Sequence, residues 1–269
     1  MTVPEGHTIH RLAADLRKDF VGQPVSVDSP QGRFSEGAAL VDGEQMVKSE
    51  AWGKHLFCYW ESGNILHVHL GLIGKFRPAS LEFPPPETVR LRLSNELNSW
   101  PLTGPQTCAM VVADDLKQII SKLGPDPLRL GARGAGRFIK GLASSKKPIG
   151  AALLDQSLLA GIGNVYRSEL LYLCGIHPET PSNLLSEKNG EDLWDLTVDL
   201  LRKGRKLNRI VTVQKADEGN VPPSRNERED SLYAYKRDGL DCRRCPNEIE
   251  ISSLAGRSIW YCPQCQEKK

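Results

Sequence analysis

Residues 242–265 read CRRCPNEIEISSLAGRSIWYCPQC, and the four cysteines of this stretch, Cys242, Cys245, Cys262 and Cys265, stand in a C-x2-C-x16-C-x2-C pattern. A two-residue spacer lets each pair chelate one ion, and an insert of hairpin length brings the pairs together, as a tetrahedral four-thiolate Zn2+ site requires. Such a site has no open coordination position, so its single ion is structural. A disulfide cluster is the competing reading. The chain has seven cysteines, an odd number, and Cys58, Cys108 and Cys174 lie singly in apolar segments as small buried hydrophobes, which is not the spread of a secreted disulfide framework. Between the pairs, EIEIS and SIWYC read as two strands that turn at Leu254-Ala255-Gly256-Arg257. Arg257 then projects from the tip of a hairpin whose base is held by metal. A guanidinium placed so can grip phosphate through paired hydrogen bonds, although an Arg at a turn is by itself usually just solvated.

Working outward, residues 216–230, ADEGNVPPSRNERED, are polar and proline-containing and read as a mobile loop. Before them IGAALLDQ, VYRSELLYLC and EDLWDLTVDLLRKGRK have helical periodicity. Asn164 is placed to cap the helix that follows LAGIGN, with Gly161 and Gly163 permitting close backbone approach and Gly175 and Pro178 closing the far end. The unpaired N–H groups of that helix start suit a phosphate, though an ordinary interhelical turn reads equally well. The net charge of +2 is uninformative, but its distribution is uneven. Arg133, Arg137, Lys140, Lys146 and Lys147 lie in one stretch without acids, and Arg202, Lys203, Arg205, Lys206, Arg209 and Lys215 in another. They read as a phosphate-facing surface or as solvated helix faces.

Further upstream, LGPDPLRLGARGAG contains too much Pro and Gly for a continuous helix and reads as a linker, 121–132. From about residue 24 to 115 the texture is β: KHLFCYW, the turn ESGN and ILHVHLGL form a hairpin, and VRLRL alternates. His67 and His69 share a strand face, but two histidines without a third ligand do not define a metal site. In HTIHRLAADLRKDFVG the apolar residues Ile9, Leu12, Ala13, Leu16 and Phe20 mark one face of a helix that stops at Gly22, so Pro4 and Glu5 sit at its first turn. A free Pro4 would be a secondary amine with a pKa near ~8, lowered further by the helix start. Such an amine can attack a sugar C1′ to give an iminium ion, with the adjacent Glu5 carboxyl moving the proton. No run approaches the ~18 to 20 apolar residues of a membrane span, and the start lacks a secretory pattern.

PEGHTIHRLAADLR, AWGKHLF, HVHLGLIGKF, LLDQSLLAGIGNVYRSELL and the four-cysteine pattern together resemble the formamidopyrimidine-DNA glycosylase and endonuclease VIII family over nearly the whole chain. The resemblance implies an α+β multidomain fold: an N-terminal β-sandwich with a leading helix (1–120), a helix-two-turn-helix domain (133–230) and a zinc finger (231–269). It implies a monomer in the bacterial cytoplasm, at the nucleoid, that removes oxidised bases from double-stranded DNA and cleaves the abasic site by β/δ-elimination. By position, Pro4 matches the nucleophile, Glu5 the catalytic acid and Lys54, on an expected strand, the lysine that contacts phosphate. His69 matches a backbone-contacting histidine, Leu72 an inserted wedge, and Asn164 and Arg257 the residues that pinch the flanking phosphates. PEGH is closer to the endonuclease VIII branch, which implies oxidised pyrimidines; Gly71-Leu72-Ile73 stands where that branch has Gln-Leu-Tyr, and Thr8 where the family has a second glutamate. As written, Met1-Thr2-Val3 make the Pro4 nitrogen an amide, so a catalytically silent DNA-binding protein of this fold is the alternative. A start at Val3, read from a GUG codon and removed, would free the amine.

Overall fold

The alternating burial of Val89–Ser94 and the fully apolar stripe of Gly6–Phe20 are local signs of how the first half of the chain builds its core. The computed structural model describes residues 4–214, 217 and 230–268. The chain divides into two units, Met1–Lys122 and Leu123–Lys269.

In the first unit, α1 (Gly6–Phe20) buries Ile9, Leu12, Ala13, Leu16 and Phe20, and Gly22, at φ 90°, turns the chain away. The strands are β1 (Ser26–Asp28), β2 (Met46–Trp52), β3 (His55–Trp60), β4 (Ile65–His69), β5 (Lys75–Phe76), β6 (Val89–Ser94), β7 (Ser99–Thr103) and β8 (Thr107–Val111), with a short α2 (Ser35–Ala39) after β1 and α3 (Ala113–Ser121) after β8. They form two four-stranded antiparallel sheets, ordered β2-β3-β4-β8 and β1-β6-β7-β5. Leu56, Cys58, Leu66 and Val68 of one sheet and Leu91, Leu93 and Leu102 of the other enter one cluster with the α1 stripe, so the unit is a β-sandwich with a leading helix. The β3–β4 hairpin forms as its sequence indicates, with Trp60 N–H donating to the Asn64 carbonyl. Two helices were not read from the sequence: α2 is only five residues long, and α3, although Leu116, Ile119 and Ile120 fall at helical spacing, begins inside the stretch read as β.

The second unit contains α4 (Pro127–Leu130), α5 (Ala135–Ala143), α6 (Ile149–Ala152), α7 (Asn164–Leu173), α8 (Glu187–Leu207), β9 (Glu250–Leu254) and β10 (Arg257–Tyr261). Most of the segment expected as a linker is built into this unit. Leu123–Pro127 are buried, Gly124 N–H donates to the Gln156 carbonyl, and Asp126 caps α4 through Leu128 N–H at 2.8 Å. Proline and glycine end helical periodicity here but permit close backbone packing. Helix α7 is buried from Val165 through Tyr172. The β9–β10 hairpin is not a self-contained module: Ile259 joins the helical core, and Tyr172 of α7 joins the small core around Trp260, Cys242 and Cys262. Apart from Asp217 and Asp230, the stretch read as a mobile loop lies outside the described residues. Among the described residues no helix is long and apolar enough to cross a membrane.

Candidate active site and metal centre

Glu5 is the residue from which α1 starts; its carbonyl accepts from Thr8 N–H (2.9 Å), and the residue is fully buried beside a buried Pro4.

Lys54, expected on a strand, instead sits in the tight turn between β2 and β3, after Gly53 at φ 54°. The turn follows from register: Trp52 pairs with His55, leaving two residues to reverse the chain. On the outer face of this sheet His55 lies opposite His69, and Phe57 opposite His67. Nδ1 of His55 and Nε2 of His67 are 2.9 Å apart, so one imidazole donates to the other. His55 is thus the third imidazole that the sequence did not reveal. The direct nitrogen–nitrogen hydrogen bond occupies the atoms a metal would need, and among the described residues only the cysteine tetrad gathers three or more ligand atoms.

His69 Nδ1 accepts Gly71 N–H at 3.2 Å, so in its neutral form Nε2 carries the proton and is a donor. Gly71 has φ 66°, and a side chain there would meet Gln106 at 2.9 Å; only glycine fits both restrictions. The turn that follows leaves Leu72 60% and Ile73 70% exposed. Leu72 is therefore not a core leucine, and a free apolar tip is what a wedge needs.

His7 and His67 are each held at about 4 and His55 at about 3, in every case chiefly by burial; for His55 the neighbouring His69, His67 and Lys54 add repulsion, and for His67 the neighbouring His69 does. A histidine with a folded pKa below its unfolded value binds fewer protons when folded, so its stabilising effect is complete above about pH 6.5 and is lost as pH falls towards the folded value. For the two most buried rings, His7 and His67, the loss between pH 7.5 and 5 is ~2 kcal/mol each. We expect the melting temperature of the first unit to fall over that interval, and His67→Phe to flatten the dependence. A melting temperature independent of pH from 7.5 to 4.5 would contradict the arrangement.

In the second unit, the four sulfur atoms of Cys242, Cys245, Cys262 and Cys265 all lie within 4.8 Å of one another, with 3.8 Å between Cys242 and Cys265 and 3.4 Å between Cys245 and Cys262. Zn–S bonds of about 2.3 Å give a tetrahedron with edges of about 3.8 Å. These spacings fit one Zn2+, and the tetrad is a structural zinc site. The Tyr172 hydroxyl lies 3.0 Å from Cys242 Sγ, and Arg244 N–H donates to the same sulfur, the outer bonds that orient thiolates around a metal.

Asn164 does not cap α7. Gly163 takes the cap position and Asn164 is the first helical residue; its Nδ2 donates to the Ser258 carbonyl of β10 at 2.9 Å. An Asn amide nitrogen has two hydrogens, so one remains to donate elsewhere. Arg257 is exposed at the start of β10, and the chain reverses before it through Ala255 at φ 53° and Gly256 at φ 70°, as the hairpin reading anticipated. The structure thus brings Asn164 and Arg257 to the same strand end.

Sequence reasoning missed what holds them. Arg167, fully buried, donates to the carbonyls of Gly150 (3.2 Å) and Ser258 (2.8 Å). Glu169, also fully buried, accepts from the backbone N–H groups of Tyr233, Ala234 and Tyr235 and from the Thr212 hydroxyl. Gln266 ties the last cysteine pair to α7's exit through the Ile176 carbonyl. The available signal was an Arg and a Glu set two residues apart inside the otherwise apolar run VYRSELLYL, on a helix with no solvent face to receive both.

A β-sandwich led by a buried Pro-Glu pair, with a helix-two-turn-helix unit that carries a four-thiolate hairpin, defines a class of two-unit DNA-processing proteins. Residues 3–108 match the formamidopyrimidine-DNA glycosylase N-terminal domain, and residues 123–215 the formamidopyrimidine-DNA glycosylase H2TH domain. The chain belongs to the formamidopyrimidine-DNA glycosylase family. It is 38% identical to "Endonuclease 8 1" of Mycobacterium tuberculosis over 98% of this chain and 100% of that one, and 31% identical to the formamidopyrimidine-DNA glycosylase of Thermus thermophilus over 98% and 97%. Its structure is similar to that of Lactococcus lactis formamidopyrimidine-DNA glycosylase bound to DNA containing an abasic site, with TM-score 0.82, 27% identity, and 98% and 100% coverage.

Proposed function

We infer that the protein is a bifunctional base-excision-repair enzyme, a DNA glycosylase and abasic-site lyase, acting on oxidised bases in double-stranded DNA with pyrimidines favoured. The observation that carries this reading is the buried Pro4-Glu5 pair at the start of α1, in a chain of this family. A free Pro4 amine attacks C1′ of the damaged nucleotide; the C1′–N bond to the base breaks and the base leaves with a proton, and the C1′–O4′ bond then opens with a proton delivered to O4′ through Glu5, leaving C1′ joined to the proline nitrogen as an iminium ion. The resulting iminium ion makes the C2′ proton acidic; its removal expels the 3′ phosphate by β-elimination, loss of the C4′ proton then expels the 5′ phosphate by δ-elimination, and hydrolysis of the iminium frees the enzyme. The zinc ion takes no part in these steps; it fixes the hairpin that presents Arg257.

Around this chemistry, Asn164 and Arg257 hold the phosphates that flank the extruded nucleotide, Lys54 and His69 contact the backbone, and Leu72 fills the gap left in the stack. Extrusion costs a few kcal/mol of unstacking, and an inserted apolar side chain offsets part of it. The exposure of Leu72 and the half-buried position of His69 at the end of β4 support these roles. The PEGH start supports the pyrimidine preference, and the bacterial relatives support a site of action at the nucleoid, in the cytoplasm. The functional division we favour is a catalytic sandwich, 1–120, a linker, a helix-two-turn-helix region, 133–230, and a finger, 231–269.

Incision assays on duplexes with a single lesion test the reading. Thymine glycol or another oxidised pyrimidine is expected to be cut faster than 8-oxoguanine. Faster incision at 8-oxoguanine would overturn the preference, and no incision at any oxidised base would overturn the function.

A further inference from the structure

The two basic stretches noted in the sequence are not used by the chemistry above, and the structure brings parts of them together. Helix α8 is polarised along its length: Glu187, Glu191, Asp192, Asp195 and Asp199, with Lys188 paired to Asp192, precede Arg202, Lys203, Arg205 and Lys206, and Arg209 follows the helix end. These last five cations are all exposed. Trp194 Nε1–H donates to the Gly131 carbonyl at 3.1 Å, and the Arg202 guanidinium comes within 3.3 Å of where a side chain on Gly131 would begin. Gly131 thus packs against α8, and the exposed Arg133 follows it two residues later in the chain.

Helix-dipole compensation does not account for this group. The dipole favours cations in the last turn, yet Arg202 and Lys203 lie before it and Arg133 and Arg209 lie off the helix. Nor does internal pairing: Arg202, Lys203, Arg205 and Arg209 have no carboxylate at ion-pair distance among the described residues. Position gives the direction of use. Tyr166 of α7 donates its hydroxyl to the Leu200 carbonyl (3.3 Å), so the basic end of α8 lies by the end of α7 that carries Asn164. Residues 202–209 rise roughly 10 Å, over which duplex DNA presents roughly six backbone charges.

We propose that the basic end of α8, with Arg133, is a second DNA-backbone surface that binds phosphates outside the nucleotides held by Asn164 and Arg257, without regard to sequence or damage. This rests on the DNA-repair reading above. It supplies the sequence-independent, salt-dependent part of binding, by which an enzyme stays on undamaged duplex while it searches.

The test is a salt titration of binding to an undamaged duplex, over roughly 50 to 200 mM KCl, for the wild type and for Arg202→Gln/Lys203→Gln/Arg205→Gln. Loss of three phosphate contacts is expected to reduce the slope of log K against log salt by about 2.7 and to weaken binding at the low end by on the order of 10-fold. Single-turnover incision of lesion DNA at saturating enzyme should be unchanged, as should the thermal melt. A charge-matched variant in the first unit, Lys18→Gln/Lys117→Gln/Lys122→Gln, should leave the slope near that of the wild type. An unchanged slope in the α8 variant, or an equal fall in the control, would overturn the proposal. Failure of the wild type to incise any lesion would instead sink the functional reading, so the two failures are told apart.

Discussion

A chain whose first residue is Pro4 is expected to become covalently trapped on abasic-site DNA when borohydride is present, and Pro4→Gly to lose base release by about 100-fold or more. The reason is specific to a free secondary amine: it condenses with C1′ to an iminium ion that borohydride reduces, whereas an amide nitrogen has no lone pair available for attack. On the mechanism proposed above Pro4 acts as a free amine, whereas in the sequence its nitrogen is joined to Val3. Intact mass of the native protein reads this directly. A mass beginning at Thr2 alongside full lyase activity would remove proline from the mechanism. No adduct from a chain beginning at Pro4 would reduce the protein to a damage-binding role. Glu5→Gln should slow base release by on the order of 100- to 10,000-fold, the range for a positioned acid–base group, while abasic-site binding persists.

Removal of zinc, by chelation or by Cys262→Ser, is expected to abolish lesion binding while the first unit keeps its fold. Structural zinc sites contribute on the order of 10 kcal/mol or more to the folding of the segment that holds them. The hairpin core includes Tyr172 of α7, and Ser258 anchors Asn164, so the loss will not stop at the finger. The two residues proposed above to hold phosphates, Asn164 and Arg257, should lose their positions together, weakening binding at least about 100-fold. Circular dichroism should retain the β signal and its melting transition. Collapse of that transition would show that the two units do not fold independently.

The legible parts of this protein were those written in local pattern. Alternation in VRLRL, the apolar face of HTIHRLAADLRKDF and the paired cysteines are each set by one element's own geometry, and each was found where expected. What escaped were features decided by tertiary packing. His55 joins His67 and His69 only through strand register, which no spacing along the chain displays. Lys54 was placed on a strand because its neighbours are β-forming; the two-residue reversal is set by pairing of Trp52 with His55. Asn164 was read as a cap because Asn caps helices well, but its amide is committed to a carbonyl on β10, ninety-four residues away in sequence. The linker was read from proline and glycine content, which reports the absence of a continuous helix and not the absence of packing.

The Ser258 carbonyl accepts from both Asn164 and Arg167, and Ser258 directly follows Arg257 in the chain. One oxygen atom is therefore the common partner of the residue that opens α7 and of the cation buried within it, and Arg257 is its neighbour in the chain. Substitutions at Asn164 and Arg167 share that partner, so their free energies will not sum; the second should cost much less than the first. In that sense the start of α7 and the start of β10 behave thermodynamically as a single indivisible group assembled from two distant parts of the chain.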